Sequence, residues 1–199
     1  MGKTWAVRIA VIAGALVLVI VAVVAVNQAG ESGDAGAGNA ESLATPGQFT
    51  KALAGAPPKL AKLYAKGDEL ISGGPDELQA QLASVRGYPA VVNVWASWCG
   101  PCRFEFPYFQ QAVLEDGDRV AFVGVNSFDD DAAARTFLDE FPIPYPSVTD
   151  PDKDIWPEFE IRGLPATAFY DSQGERVYVR PGPYSSADQL LADIKRYAG

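Results

Sequence analysis

Trp98-Cys99-Gly100-Pro101-Cys102 contains the only two cysteines of the 199-residue sequence, spaced two residues apart. Two thiols at that spacing can close and reopen a disulfide, so two-electron exchange with another disulfide is the first chemistry to consider. A zinc knuckle needs four ligands, usually Cys or His. The sequence has no His and no third Cys, which removes it. Haem attachment needs a His directly after the second cysteine, and Arg103 stands there. An inert structural disulfide over so short a loop would gain little chain entropy. A redox-active dithiol is the reading that remains.

The flanking segments show how such a pair would be held. Ala90 to Ser97 is apolar and β-branched, the pattern of a buried strand. Arg103 to Leu114 reads as a helix. The pair therefore falls where a strand delivers the chain to a helix N-terminus. Free N–H groups and the helix dipole there favour thiolate over thiol, and cysteines so placed have pKa values of ~3.5–7.5 instead of ~8.5. Pro101 suits the first turn, where its missing N–H costs nothing. Gly100 leaves room for another backbone to approach.

Further along, Arg119 to Asn126 predicts a second buried strand, joined to the first by a right-handed parallel crossover. Asp129 to Phe141 predicts a helix with Asp129 and Asp130 as capping acids. Asp152 to Phe159 predicts a short helix or turn. Ala166–Tyr170 and Arg176–Arg180, joined by Asp171-Ser172-Gln173-Gly174, predict an antiparallel hairpin. A last helix would start at Ser185 or Ser186 and run to Tyr197. Before the first strand, residues 48–73 carry apolar residues at helical spacing, interrupted at Pro57-Pro58 and Gly67, so two or three short helices are expected. Pro75 opens another, with Leu78, Leu82 and Val85 inward. Residues 48–86 are thus expected as a helical extension of the domain.

Ile9 to Val26 is eighteen residues without a charged or polar side chain, preceded by Lys3 and Arg8. As a helix it would span about 27 Å at ~1.5 Å per residue, close to a bilayer core of ~30 Å. The alternative, a cleaved signal peptide, usually has a shorter apolar core and a small-residue cleavage site, which Val24-Ala25-Val26 matches poorly. Residues 1–26 are read as an uncleaved signal anchor. The flanking cations put the N-terminus in the cytoplasm and the rest outside, a single-pass cell-membrane protein. Residues 27–47, rich in Gly, Ala and Ser, read as a flexible linker. Formal charge is −9. The first 26 residues carry only cations, so the remainder is more acidic still, which argues against a nucleic-acid partner.

Trp95-Ala96-Ser97-Trp98-Cys99-Gly100-Pro101-Cys102 resembles the thioredoxin active site. Its continuation Arg103-Phe104-Glu105-Phe106-Pro107 resembles the TlpA/ResA branch of membrane-anchored thioredoxins. The likeness covers about residues 87–199. It implies an α/β thioredoxin fold: a mixed sheet of four or five strands with helices on both faces. It implies that Cys99 attacks a substrate disulfide and that Cys102 resolves the mixed disulfide. Glu105, one turn past Cys102, would tune cysteine acidity and assist proton transfer. Asn93 stands where ordinary thioredoxins carry a buried Asp. Pro165, in Gly163-Leu164-Pro165, matches the position of a cis-proline that shapes the substrate groove, with the Leu164 backbone pairing with substrate. Trp98 offers contact area beside the nucleophile, and Trp95 is a core residue.

The same resemblance implies a protein-disulfide reductase acting on substrates such as apocytochrome c, without a cofactor. A membrane electron donor of the DsbD/CcdA type would recharge it, and a monomer is expected. Two other readings stay open at the sequence level: a disulfide-forming oxidase of the same fold, and a tethered, non-catalytic binding module.

Overall fold

A computed structural model describes residues 43–199 of the chain. The expected signal anchor, at residues 1–26, lies outside the described residues. Thirteen elements follow in order: α1 (Pro46–Ala52), α2 (Pro58–Tyr64), β1 (Leu70–Ser72), α3 (Gly74–Ser84), β2 (Ala90–Trp95), α4 (Gly100–Asp116), β3 (Ala121–Ser127), α5 (Asp131–Glu140), β4 (Ser147–Asp150), α6 (Trp156–Phe159), β5 (Ala166–Tyr170), β6 (Arg176–Pro181) and α7 (Ala187–Tyr197).

The strands form one mixed sheet in the order β1-β4-β3-β2-β5-β6. β2 pairs parallel with β3, as the crossover predicts, and antiparallel with β5. All six residues of β2 are buried, so both faces of the sheet are covered. On one face Trp95 packs against Phe106 of α4 and Phe137 of α5, and Phe169 meets Tyr197 of α7. On the other, Tyr170 meets Phe159 of α6, and Gln79 of α3 bonds Glu158 of α6 at 2.8 Å.

The sheet has six strands, not four or five. Leu70 and Ile71 were expected on a helix; they form the edge strand β1, paired in parallel with Ser147 and Val148. Three residues are too few to show a strand period against the helical spacing that precedes them. β4 carries no alternation either, because all four of its residues are buried and only Val148 is strongly apolar. The linker boundary at residue 47 also shifts. Ala44 is buried, its N–H donates to Gln110 Oε1 at 2.9 Å, and Thr45 caps α1 in a capping box with Gln48. The folded chain therefore includes residues that read as tether, because anchoring by one buried alanine and one cap leaves no compositional trace. Asp130 and Ser186 cap α5 and α7 with their side chains.

Candidate functional site: a dithiol at a helix N-terminus

β2 ends at Trp95, and four residues later Cys99 caps α4. Its Sγ accepts from the Cys102 backbone N–H at 3.2 Å, so the sulfur receives a donor that the first helical turn would otherwise leave free. Cys99 and Cys102 form a disulfide, with Cα atoms 5.2 Å apart. Cys99 is 4% exposed and Cys102 fully buried. Of the two, Cys99 is the less buried residue. Gly100 and Pro101 are exposed beside it, and α4 runs on through Pro107.

The loop that presents the pair is pinned by a residue whose part the sequence does not reveal. Asp129 accepts from the Ser97 backbone N–H at 2.5 Å and the Ser97 hydroxyl at 2.7 Å. It also accepts from Asn126 Nδ2 at 2.8 Å. It was expected only as a capping acid, and the cap is Asp130. Nothing in the local sequence links Asp129 to a residue 32 positions earlier. The link exists because β2 and β3 run parallel and end side by side.

An aromatic rim surrounds the opening. Trp98 is 59% exposed and Phe128 52%. Their rings meet edge to face, and Trp98 Nε1 donates to the Phe128 carbonyl at 2.8 Å. Phe128 holds a left-handed backbone with φ 53°, which a bulky residue adopts only when its surroundings fix it. Lys153 stacks its ammonium on that ring at 3.8 Å.

The Leu164–Pro165 peptide is cis, matching the position the resemblance marks. Ala166, the next residue, pairs with Val94. The cis bond therefore lies at the end of β2 from which the dithiol loop departs. Leu164 is half-buried and Pro165 buried.

Behind the dithiol, Glu105 is fully buried. Its carboxylate accepts from Asn93 Nδ2 at 3.1 Å and from the Tyr184 backbone N–H at 2.9 Å. Desolvation pushes its pKa up to about 7, the two hydrogen bonds and the Arg180 cation offsetting only part of that cost. Glu105 lies three residues past Cys102 on α4, one helical turn away. Among the described residues no group of His, Cys, Asp and Glu is placed to hold a metal ion.

A cysteine pair capping a helix, at the end of a central strand bordered by a cis-proline, defines the site of a thioredoxin-fold protein. The chain belongs to the Redoxin family, whose model matches residues 61–193, as a ResA/TlpA-like member of the thioredoxin superfamily. It is 42% identical over 93 residues to the thiol:disulfide interchange protein DsbE of Pseudomonas fluorescens biotype C, covering 46% of this chain and 51% of that one. To the thiol-disulfide oxidoreductase ResA of Oceanobacillus iheyensis it is 30% identical over 122 residues, covering 57% and 64%. The solved structure of Mycobacterium tuberculosis dsbF is similar with a TM-score of 0.53 and 32% identity, covering 57% of this chain and 84% of that one. The chain thus spans about half of its DsbE relative's length.

Proposed function

We propose that the protein is a thiol–disulfide oxidoreductase that reduces protein disulfides outside the cytoplasm, anchored to the cell membrane by residues 1–26. The observation that carries this reading is the Cys99–Cys102 pair at the start of α4, with Cys99 the less buried residue. Reduced Cys99, as thiolate, attacks one sulfur of a substrate disulfide; a mixed disulfide forms and the other substrate sulfur leaves as thiolate. Cys102 gives its proton to Glu105 and attacks Cys99 Sγ. The Cys99–Cys102 bond closes, and the second substrate sulfur departs with its electron pair. Two electrons have moved from the dithiol to the substrate. No cofactor enters the cycle.

The reducing direction is supported by the Gly100-Pro101 dipeptide, which matches reducing thioredoxins. The TlpA/ResA resemblance supports apocytochrome c as a substrate and a DsbD/CcdA-type membrane carrier as the source of electrons. Substrate would lie along Leu164-Pro165, with Trp98 and Gly100 against its backbone. The anchor is supported by the uninterrupted apolar run of Ile9 to Val26. No helix among the described residues is long and apolar enough to cross a membrane.

Insulin reduction by the full chain tests the activity. Turnover should vanish in Cys99→Ser. In membranes, Cys102→Ser should accumulate a mixed disulfide whose partner identifies the substrate. Full turnover in Cys99→Ser would remove Cys99 from the reaction, and a wild-type chain inactive on insulin and on every trapped partner would leave only a binding module.

A further inference from the structure

The sheet register lays a polar row across its centre. Ser147, Gly124, Asn93, Thr167 and Arg180 are successive partners on β4, β3, β2, β5 and β6. Partners in register project to the same face, here the face covered by α4 and α7. Ser147, Asn93 and Thr167 are buried, where apolar residues are the rule. Each buried polar atom therefore needs a partner.

On one side of Asn93 the accounting closes. Ser147 Oγ accepts from Trp95 Nε1 at 3.1 Å and fills the space left by Gly124. On the other side it does not. Asn93 Nδ2 serves Glu105, but Asn93 Oδ1 has no protein partner. Thr167 Oγ1, next in the row, has none, and neither has Arg180 Nε beyond it. The hydroxyl of Tyr145, on the β4 side and outside the row, is also without a protein partner. Its ring stacks on Phe122, which places it on the same face, and it feels the charge of Glu105. Each of these atoms left dry loses its hydrogen bonds to water without replacement. Asn93, Thr167 and Arg180 stand in successive register positions that start at the Glu105 carboxyl and call for common partners, and a buried water typically makes about three hydrogen bonds to such groups.

We propose that Asn93, Thr167 and Arg180 hold a buried file of water that carries protons between Glu105 and solvent at the β6 edge. The inference rests on Glu105 taking the Cys102 proton. Cys102 and Glu105 are both fully buried, so a proton delivered to Glu105 needs a way out. At the outer end of the row, Arg180 and Asp193 pair at 3.5 Å with side chains 31% and 21% exposed. The Arg180 guanidinium lies 4.4 Å over the Tyr184 ring, and the Tyr184 hydroxyl donates to Asp193 at 3.0 Å. The groups around Glu105 are thus Asn93 from β2, Tyr145 before β4, Arg180 from β6 and Tyr184 before α7, with Asp193 of α7 behind Tyr184. After Cys102 has passed its proton to Glu105 and closed the disulfide, the carboxylic acid releases that proton along the file toward Asp193 and solvent. Only the proton takes this path; the electron pair leaves with the substrate sulfur.

The test uses the reduced full chain and 5,5′-dithiobis(2-nitrobenzoate), which reports the two half-steps separately. The first nitrothiolate is released by Cys99 and the second when Cys102 resolves the mixed disulfide. Glu105→Gln should slow the second release by about 10²-fold or more and spare the first. Thr167→Val keeps the shape but removes the hydroxyl; it should slow the second release severalfold, spare the first, and enlarge the solvent isotope effect. If Thr167→Val fails to fold, Thr167→Ala, which also removes the hydroxyl, makes the same comparison. A second release as fast as wild type in Thr167→Val or its substitute, with Glu105→Gln slow, overturns the file and leaves Glu105 its role. Wild-type kinetics in Glu105→Gln overturn the reading beneath it.

Discussion

The Tyr184 backbone N–H donates to Glu105 Oε2 at 2.9 Å across 79 residues of sequence. That bond ties the helix that carries the cysteines to the turn that launches α7. With the Asn93 amide it supplies the two donors that this fully buried carboxyl receives among the described residues. Two donors do not repay desolvation, which is why Glu105 titrates near neutrality.

Stability should therefore fall as pH rises from about 4.5 to about 7. The unfolded chain releases the Glu105 proton at the lower value and the folded chain keeps it to the higher one. In that window the native state binds more protons, and ∂ΔG/∂pH of unfolding is negative. The loss is on the order of 3 kcal/mol. Denaturant unfolding across this range should show the slope in wild type and a flatter line in Glu105→Gln. Arg180→Met removes a cation that favours the ionised carboxyl, so the upper end of the window should move to higher pH.

Asp129→Ala should release Ser97 and loosen the loop before Cys99. The carboxylate satisfies a backbone N–H, a hydroxyl and an amide. Its loss should cost roughly 1–3 kcal/mol in unfolding experiments and lower the rate of insulin reduction. Asp129→Asn, which keeps one acceptor oxygen, should recover part of both.

Gly124→Ala tests the packing of the polar row. A Cβ there would meet Ser147 Oγ at 2.0 Å and Trp95 Nε1 at 3.0 Å. Overpacking of this kind costs roughly 1–3 kcal/mol. Thermal unfolding should show it, with a change in tryptophan fluorescence as the Trp95–Ser147 bond is displaced.

Trp98→Ala removes an exposed ring from the rim and should leave stability within about 0.5 kcal/mol of wild type. KM for a protein disulfide should rise, while reaction with a small aromatic-free disulfide stays unchanged. Equal KM values for insulin in the two proteins would remove Trp98 from substrate contact.

Much of this architecture was legible in the chain. The central strand, the parallel crossover, the hairpin and a serine cap at 185 or 186 all carry short-range signals, and the structure selects Ser186. β1 and β4 were not legible: a three-residue edge strand has no period to read, and β4 is buried on both faces without an apolar run. At the site, the cysteine spacing exposed Cys99 and Cys102, and the resemblance marked Glu105 and Pro165. The pinning by Asp129 and the row from Ser147 to Arg180 depend on strand register. Register brings together residues far apart in sequence, so no local pattern announces them.

The reduction potential of the Cys99–Cys102 couple, equilibrated against glutathione and read from the alkylated fraction, tests the central claim most directly. A protein-disulfide reductase should lie near the thioredoxin value of about −270 mV. A potential near −120 mV, the range of strong disulfide-forming oxidants, would contradict it.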